Sequence, residues 1–269
     1  MNIVITGATR GLGLAAARAL LARGHTVVIC SEDGDDVARA LDTLQRDGLP
    51  ARGMRCDICS EQQVIDLLGF AQADGQPVDA WINNAGMPGI TGRTDQIPTA
   101  YLQRLIDTNI KGTCLCSVHA LRLFHAQGHG RLLNVLGRGA TRPVPFSNSY
   151  GPAKTWIRSF TRAIATEVRG TNIAVATFQP GLVHTQMTLD VQVVAGHEHR
   201  MKLLPAAQRY LGNEPEFAGE HLARIITGNM RNGKAYRLPV LGPALRRLIA
   251  GAPAIPITTR TIDAETDPR

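Results

Sequence analysis

Short apolar runs rich in β-branched residues alternate with amphipathic stretches from the first residue to about position 180. The runs at 3–6, 26–30, 51–56, 80–83, 131–136 and 173–178 are nearly continuous in apolar character, the pattern of strands buried on both faces. Between them apolar residues recur at helical spacing. One helix is expected over 11–23, closed by Gly24, and another over 35–47, closed by Gly48, because glycine readily takes the left-handed conformation that ends a helix. Ser60 followed by Glu61-Gln62-Gln63 reads as a capping box opening a third. Residues 149–170 read as one long helix. Repeated strand–helix–strand units require a parallel sheet with helices on both faces, since each crossover must return along one face. The expected architecture is a doubly wound α/β domain over residues 1–241.

The pattern loosens over 182–213, where His184, His197, His199 and two methionines fall. Long irregular stretches in compact domains are usually functional, so a mobile lid over the site is expected there. Glu214-Pro215-Glu216 opens a further helix with proline in its first turn, and 234–238 suits a last strand. Beyond Gly242 the chain is rich in Pro, Ala and Arg. Three fates are open to this extension, 242–269: packing on a partner subunit, flanking the substrate mouth, or fraying.

A chain of 269 residues with 44% hydrophobic content is ample for one large core. It has no run approaching the roughly 20 apolar residues that span a bilayer. Asn2-Ile3-Val4-Ile5 already reads as strand, which leaves no room for a targeting peptide and makes the cytoplasm the expected compartment. The formal charge is +7, and arginine supplies 25 of the 29 basic residues. They read as scattered, with Arg246-Arg247 the one adjacent pair, and no nucleic-acid reading motif accompanies them, so no nucleic-acid partner is expected. Five cysteines without a secretory signal imply reduced thiols. Cys56-Asp57-Ile58-Cys59 has metal-like spacing but no second pair to complete four ligands, so no metal site is expected.

Three strings carry the chemistry. Thr6-Gly7-Ala8-Thr9-Arg10-Gly11-Leu12-Gly13 lies between the first strand and the first helix. Its glycines permit a tight turn and let backbone N–H groups at a helix N-terminus approach a pyrophosphate. Asn83-Asn84-Ala85-Gly86 follows the fourth strand, and Tyr150-Gly151-Pro152-Ala153-Lys154 opens the long helix. Tyrosine and lysine four apart share one helical face. A phenol with a free pKa of about 10 is a poor base at neutral pH, and a neighbouring ammonium favours its ionised form. It then exchanges a proton with a carbonyl or alcohol oxygen as hydride moves.

In this order and at these distances the strings resemble the short-chain dehydrogenase/reductase family. The resemblance implies a Rossmann-type fold, a nicotinamide dinucleotide, hydride transfer with a carbonyl or alcohol substrate, and a homodimer or homotetramer formed through the helices containing Asn109 and Tyr150. It assigns cofactor contacts to Gly7, Thr9, Arg10, Gly11, Leu12, Gly13, Ser31, Asp57, Asn83, Ala85, Gly86, Tyr150, Lys154 and the segment Pro180, Gly181, Val183 and Thr185. It assigns the acid/base role to Tyr150, the ribose and charge role to Lys154, and a water-relay anchor to Asn109. Arg10 and Ser31 favour NADP(H), since guanidinium and hydroxyl both suit a 2′-phosphate; Glu32 argues for NAD(H).

The family's catalytic serine is missing. Gly137, in Asn134-Val135-Leu136-Gly137-Arg138-Gly139, stands in its place. Loss of such a hydroxyl costs about 10²–10³-fold in rate. Ser147, three before Tyr150, is a candidate replacement if the helix begins early. A second explanation is a substrate activated enough to need only the tyrosine. The third is a regulatory or scaffolding protein that binds cofactor with little turnover. Asn-x-x-Gly-x-Gly followed by Tyr-Gly-x-x-Lys also resembles the chlorophyll b reductase branch, which shares the glycine and reduces a ring-borne formyl group.

Overall fold

The computed structural model describes residues 1–147, 149–239, 247–249 and 251–263. Its strands are β1 (Asn2–Thr6), β2 (Thr26–Ser31), β3 (Arg52–Arg55), β4 (Ala80–Asn83), β5 (His129–Val135), β6 (Asn172–Gln179), β7 (Asp190–Val194), β8 (Ala235–Arg237) and β9 (Thr258–Ile262). Seven form one parallel sheet in the order 3-2-1-4-5-6-8. The chain winds outward from β1 to β3, then crosses back to β4. A crevice therefore opens at the carboxyl ends of β1 and β4, where such sheets bind their ligands.

The near-continuous apolar strands follow from two cores. On one face Ile3, Ile5, Val27 and Ile29 meet α1 (Gly11–Leu21), α2 (Gly34–Arg46) and α9 (Pro215–Thr227). On the other Val4, Val28, Trp81, Leu132 and Val175 meet α3 (Glu61–Ala71), α5 (Thr113–Gln127) and α6 (Tyr150–Glu167). Alternate side chains along each strand thus enter different layers. Each large buried aliphatic contributes about 1.5–3 kcal/mol.

Several local expectations are corrected. The first helix ends at Leu21, with Gly24 left-handed beyond it. The second begins at Gly34, because the Asp33 carboxylate accepts the N–H groups of Asp35 and Asp36. The capping box at Ser60 does not form: its side chain makes no cap bond, and Gln63 Oε1 accepts the Asp57 N–H instead. The run at 51–56 shortens to β3, an edge strand with no fully buried residue. The long helix starts at Tyr150.

The expected lid contains α7 (Gln186–Leu189), β7, a 3₁₀ turn (Glu198–Met201) and α8 (Leu204–Leu211). Its order comes from outside the segment. Strand β9, from the extension, pairs with β7 along its whole length, from Asp190↔Thr258 to Val194↔Ile262. On the other edge of β7, Thr91 exchanges backbone bonds with Gln192 and Val194. The described part of the extension therefore flanks the lid. The Arg260–Asp190 ion pair adds to the seam.

Candidate active site

The turn after β1 places Gly7 and Gly11 at φ +61° and +55°, values that favour glycine. A Cβ on Gly7 would lie 2.6 Å from Ala85 Cα, and one on Gly13 would lie 2.6 Å from Asn84 Nδ2. These two glycines let the first turn press on the segment after β4. Thr6 Oγ1 accepts the N–H groups of Asn84 and Ala85, and Asn84 Nδ2 donates to the carbonyls of Thr6 and Gly7. Gly11 faces the methyl of Thr185, with 3.0 Å from its ideal Cβ position. Half-buried Thr9 and Leu12 complete this turn.

The cleft fits a dinucleotide. Arg10, the N-cap of α1, is extended and makes no side-chain cap bond, and the first turn of α1 carries no acid. The helix N-terminus thus keeps its N–H groups and positive dipole end open toward an anionic pyrophosphate. The opposite wall is the segment after β6. There Pro180 and Val183 are buried, Gly181 is exposed, and Thr185 caps α7 in a reciprocal capping box.

At the far end of the cleft, Ser31 ends β2 and Asp57 follows β3. Asp57 Oδ1 accepts the Cys59 N–H in a tight turn. Arg10 is 70% exposed and stands 3.9 Å from the Asp36 carboxylate. Sequence reading missed Arg55. It pairs in register with Ser31, and its Nε donates to the Glu32 carbonyl at 2.9 Å. The signal was present only in the β2–β3 register, which requires the sheet order.

Asn83 points inward. Its oxygen accepts Trp81 Nε1–H, and its amide donates to Ser117 and Asn134. Asn134 in turn donates to Thr161 Oγ1. This buried chain ties β4 and β5 to α5 and α6, so the Asn83 side chain is engaged in the framework rather than facing the cleft.

Asn109 sits in a π-helical turn (Asp107–Gly112) between α4 (Thr99–Ile106) and α5. The wider turn aims its side chain at Met87, whose N–H donates to Oδ1 at 2.7 Å and whose carbonyl accepts from Nδ2 at 3.0 Å. Gly86 is where these groups converge. A Cβ there would lie 2.9 Å from Asn109 Oδ1 and 3.7 Å from Lys154 Nζ. Lys154 is buried, donates to the Val135 carbonyl at 3.2 Å and lies 5.5 Å from the centre of the Tyr150 ring. Burial pulls its pKa down to about 8.

Tyr150 reaches the space where a side chain on Gly137 would begin. An ideal Cβ on Gly137 would fall 2.2 Å from Tyr150 Oη and 2.9 Å from Cζ. The phenol is held from both ends, since a Cβ on Gly89 would lie 2.7 Å from Tyr150 Cβ. The next glycines bring loop and helix together: Gly139, at φ +92°, has its ideal Cβ position 2.4 Å from Gly151 Cα, and Thr155 Oγ1 donates to the Gly139 carbonyl. Tyr150's pKa is pushed up to about 12 by burial. The expected lowering by the lysine charge is therefore not what this geometry produces, because desolvation dominates. Ser147 lies in the turn before α6, with Oγ 3.7 Å from the same Gly89 position, at the Cβ end of the ring.

A nucleotide cleft at the sheet's switch point, with a Tyr/Lys pair at its inner end, defines a dinucleotide-dependent oxidoreductase fold. The sequence matches the short chain dehydrogenase family over residues 1–193, and the chain belongs to that family of NAD(P)-dependent enzymes. It is 34% identical over 229 residues to a cis-4-hydroxycyclohexanecarboxylate dehydrogenase of Sinomonas cyclohexanicum, covering 83% of this chain and 88% of that one. It is 31% identical over 207 residues to a probable chloroplastic chlorophyll(ide) b reductase of Oryza sativa subsp. japonica, covering 70% of this chain. A second chlorophyll(ide) b reductase, from Arabidopsis thaliana, is 31% identical over 195 residues. The matches span 41% and 56% of those two relatives' own lengths. Among solved structures, an actinorhodin polyketide ketoreductase with NADPH superposes with a TM-score of 0.79 at 25% identity, over 90% of this chain and 97% of that one.

Proposed function

We propose that the chain reduces an activated carbonyl, an aldehyde or conjugated ketone, with NADPH. The observation that carries this reading is Tyr150 Oη, held protonated by burial at the position where a serine side chain would otherwise stand. A protonated phenol is an acid, and reduction needs an acid. When bound, the nicotinamide supplies the hydride. Tyr150 gives its hydroxyl proton to the carbonyl oxygen, so that hydride plus proton yield the alcohol. Lys154 holds the nicotinamide ribose and offers the nearest positive charge to the phenol. Asn109, fixed on Met87, keeps Gly86 open beneath the cofactor. With no serine to polarise the carbonyl, the substrate must bring its own electrophilicity. Similarity to chlorophyll(ide) b reductases supports that class.

The experiment is a panel of aldehydes, conjugated ketones and simple ketones followed by NADPH absorbance. Aldehydes turned over faster than simple ketones is the expected result. Binding of NADPH with no turnover of any carbonyl would sink the reading. It would instead favour a regulatory or scaffolding role, for which Gly137 is the one supporting observation. A homodimer or homotetramer through α5 and α6 is part of the proposal; the stacked pair Trp156 and Phe160 on α6, with Trp156 partly exposed, supports it.

The preference for NADPH rests on Arg10, Arg55 and Ser31 around the end of β2. Arg10→Ala and Arg55→Ala are each expected to weaken NADPH about tenfold, the loss of one charge-assisted hydrogen bond, with NADH binding unchanged. Titration by nucleotide fluorescence checks this, and equal losses for the two nucleotides would refute it.

The lysine sets a pH limit. Its folded pKa of about 8 means the ammonium is lost as pH rises through that value. The kcat/KM for NADPH reports the free enzyme and is therefore expected to fall above about pH 8. Tyr150, pushed up to about 12, adds no limb below it. A profile flat to pH 10 would contradict the burial argument.

A further inference from the structure

Residues 199–213 and 247–262 hold five of the 29 Lys and Arg residues, Arg200, Lys202, Arg209, Arg247 and Arg260, and none of the 22 Asp and Glu residues. The fold brings these two segments together on the lid. Arg209 Nε donates to the Ala252 carbonyl at 2.6 Å, and Arg247 reaches Asn213 Oδ1 at 3.3 Å and the Tyr210 carbonyl at 3.4 Å. The acids bordering this surface are engaged: Asp190 with Arg260, Glu198 with Thr261 and Glu214 with His184. The same two segments carry the three most exposed large apolar side chains among the described residues, Leu203 at 79%, Ile249 at 78% and Leu248 at 68%. Leu203 stands five positions before the fully buried Gln208, hence toward the outer side of α8.

We propose that this face of the lid docks on an anionic lipid bilayer. Exposed aliphatic side chains within a cationic surround are what an interfacial segment needs: the aliphatics enter the acyl boundary while the basic groups meet lipid phosphates. Charge decides against a second copy of the chain. A two-fold contact would set two cationic faces against each other, with no acid in either segment to pair them. Docking would turn the mouth of the lidded cleft toward the lipid, so that a carbonyl dissolved in the bilayer reaches Tyr150 without crossing water. The lipid contact itself stands independently of the oxidoreductase reading.

The test is sedimentation of the full chain with vesicles of phosphatidylcholine alone or of phosphatidylcholine with an equal part of phosphatidylglycerol. Binding to the anionic vesicles is expected to exceed that to the neutral ones at least about tenfold and to weaken with salt. The triple variant Leu203→Ser/Leu248→Ser/Ile249→Ser is expected to lose at least about tenfold of that binding. Its exposed positions leave the core untouched, and an unchanged NADPH affinity and thermal midpoint establish that it folds. Wild-type binding at background, equal binding to both vesicles, or full binding by the triple variant would each overturn the proposal. So would self-association by light scattering that the triple variant abolishes while vesicles bind neither protein; that result would assign the face to a second copy.

Discussion

Tyr150→Phe is expected to lower the rate of carbonyl reduction by about 10²–10⁴-fold, the range a positioned proton donor contributes, and to leave the affinity for NADPH unchanged. The two halves of this expectation come from different ends of the side chain. The ring lies between Gly89, beside its Cβ, and Gly137, beside its Cζ and Oη, so phenylalanine keeps the ring's seat and loses only the oxygen. The hydroxyl contributes the proton and little else, since desolvation alone is what shifts its pKa. Lys154→Ala should behave differently. It removes a buried donor to the Val135 carbonyl together with the proposed ribose contact, so cofactor binding and turnover are expected to fall together. Absorbance at saturating NADPH gives the rate, and fluorescence titration gives the affinity. Turnover surviving in Tyr150→Phe would mean that the proton comes from elsewhere.

The framework of this site was legible because it is written locally. Strand–turn–helix periodicity located β1, α1 and the glycine turn, and the Tyr/Lys spacing put both groups on one face of a helix. What escaped was set by contacts between distant segments. The order of residues 182–213 depends on β9 pairing with β7, and nothing within them announces a partner from the far end of the chain. Arg55 gains its place from register with Ser31. The inward turn of Asn83 follows from Trp81, Ser117 and Asn134 all meeting it in the core. The tyrosine's raised pKa escapes the sequence for a related reason. Sequence supplies the neighbouring charge, whereas burial is a property of the assembled cleft, and burial won.

Gly137→Ser is expected to impair the enzyme rather than extend its range. From the sequence alone the substitution restores a family hydroxyl and, given room for it, widens the substrate range toward ordinary ketones. The structure removes the room for it. The added Cβ would stand 2.2 Å from Tyr150 Oη, inside any tolerable contact, before the hydroxyl is placed. The phenol must then leave its slot, and a proton donor displaced by about an ångström forfeits on the order of 10²-fold in rate. Gly137→Ala separates sterics from chemistry, because it carries the Cβ without the hydroxyl. Equal losses for alanine and serine would identify the clash as the cause. Ser147→Ala completes the set: its hydroxyl lies at the Cβ end of the ring, so turnover should be unaffected. A Gly137→Ser variant that reduces simple ketones faster than the wild type would show that the tyrosine can yield the slot without cost. In that case the absent serine would be a matter of substrate choice rather than of space.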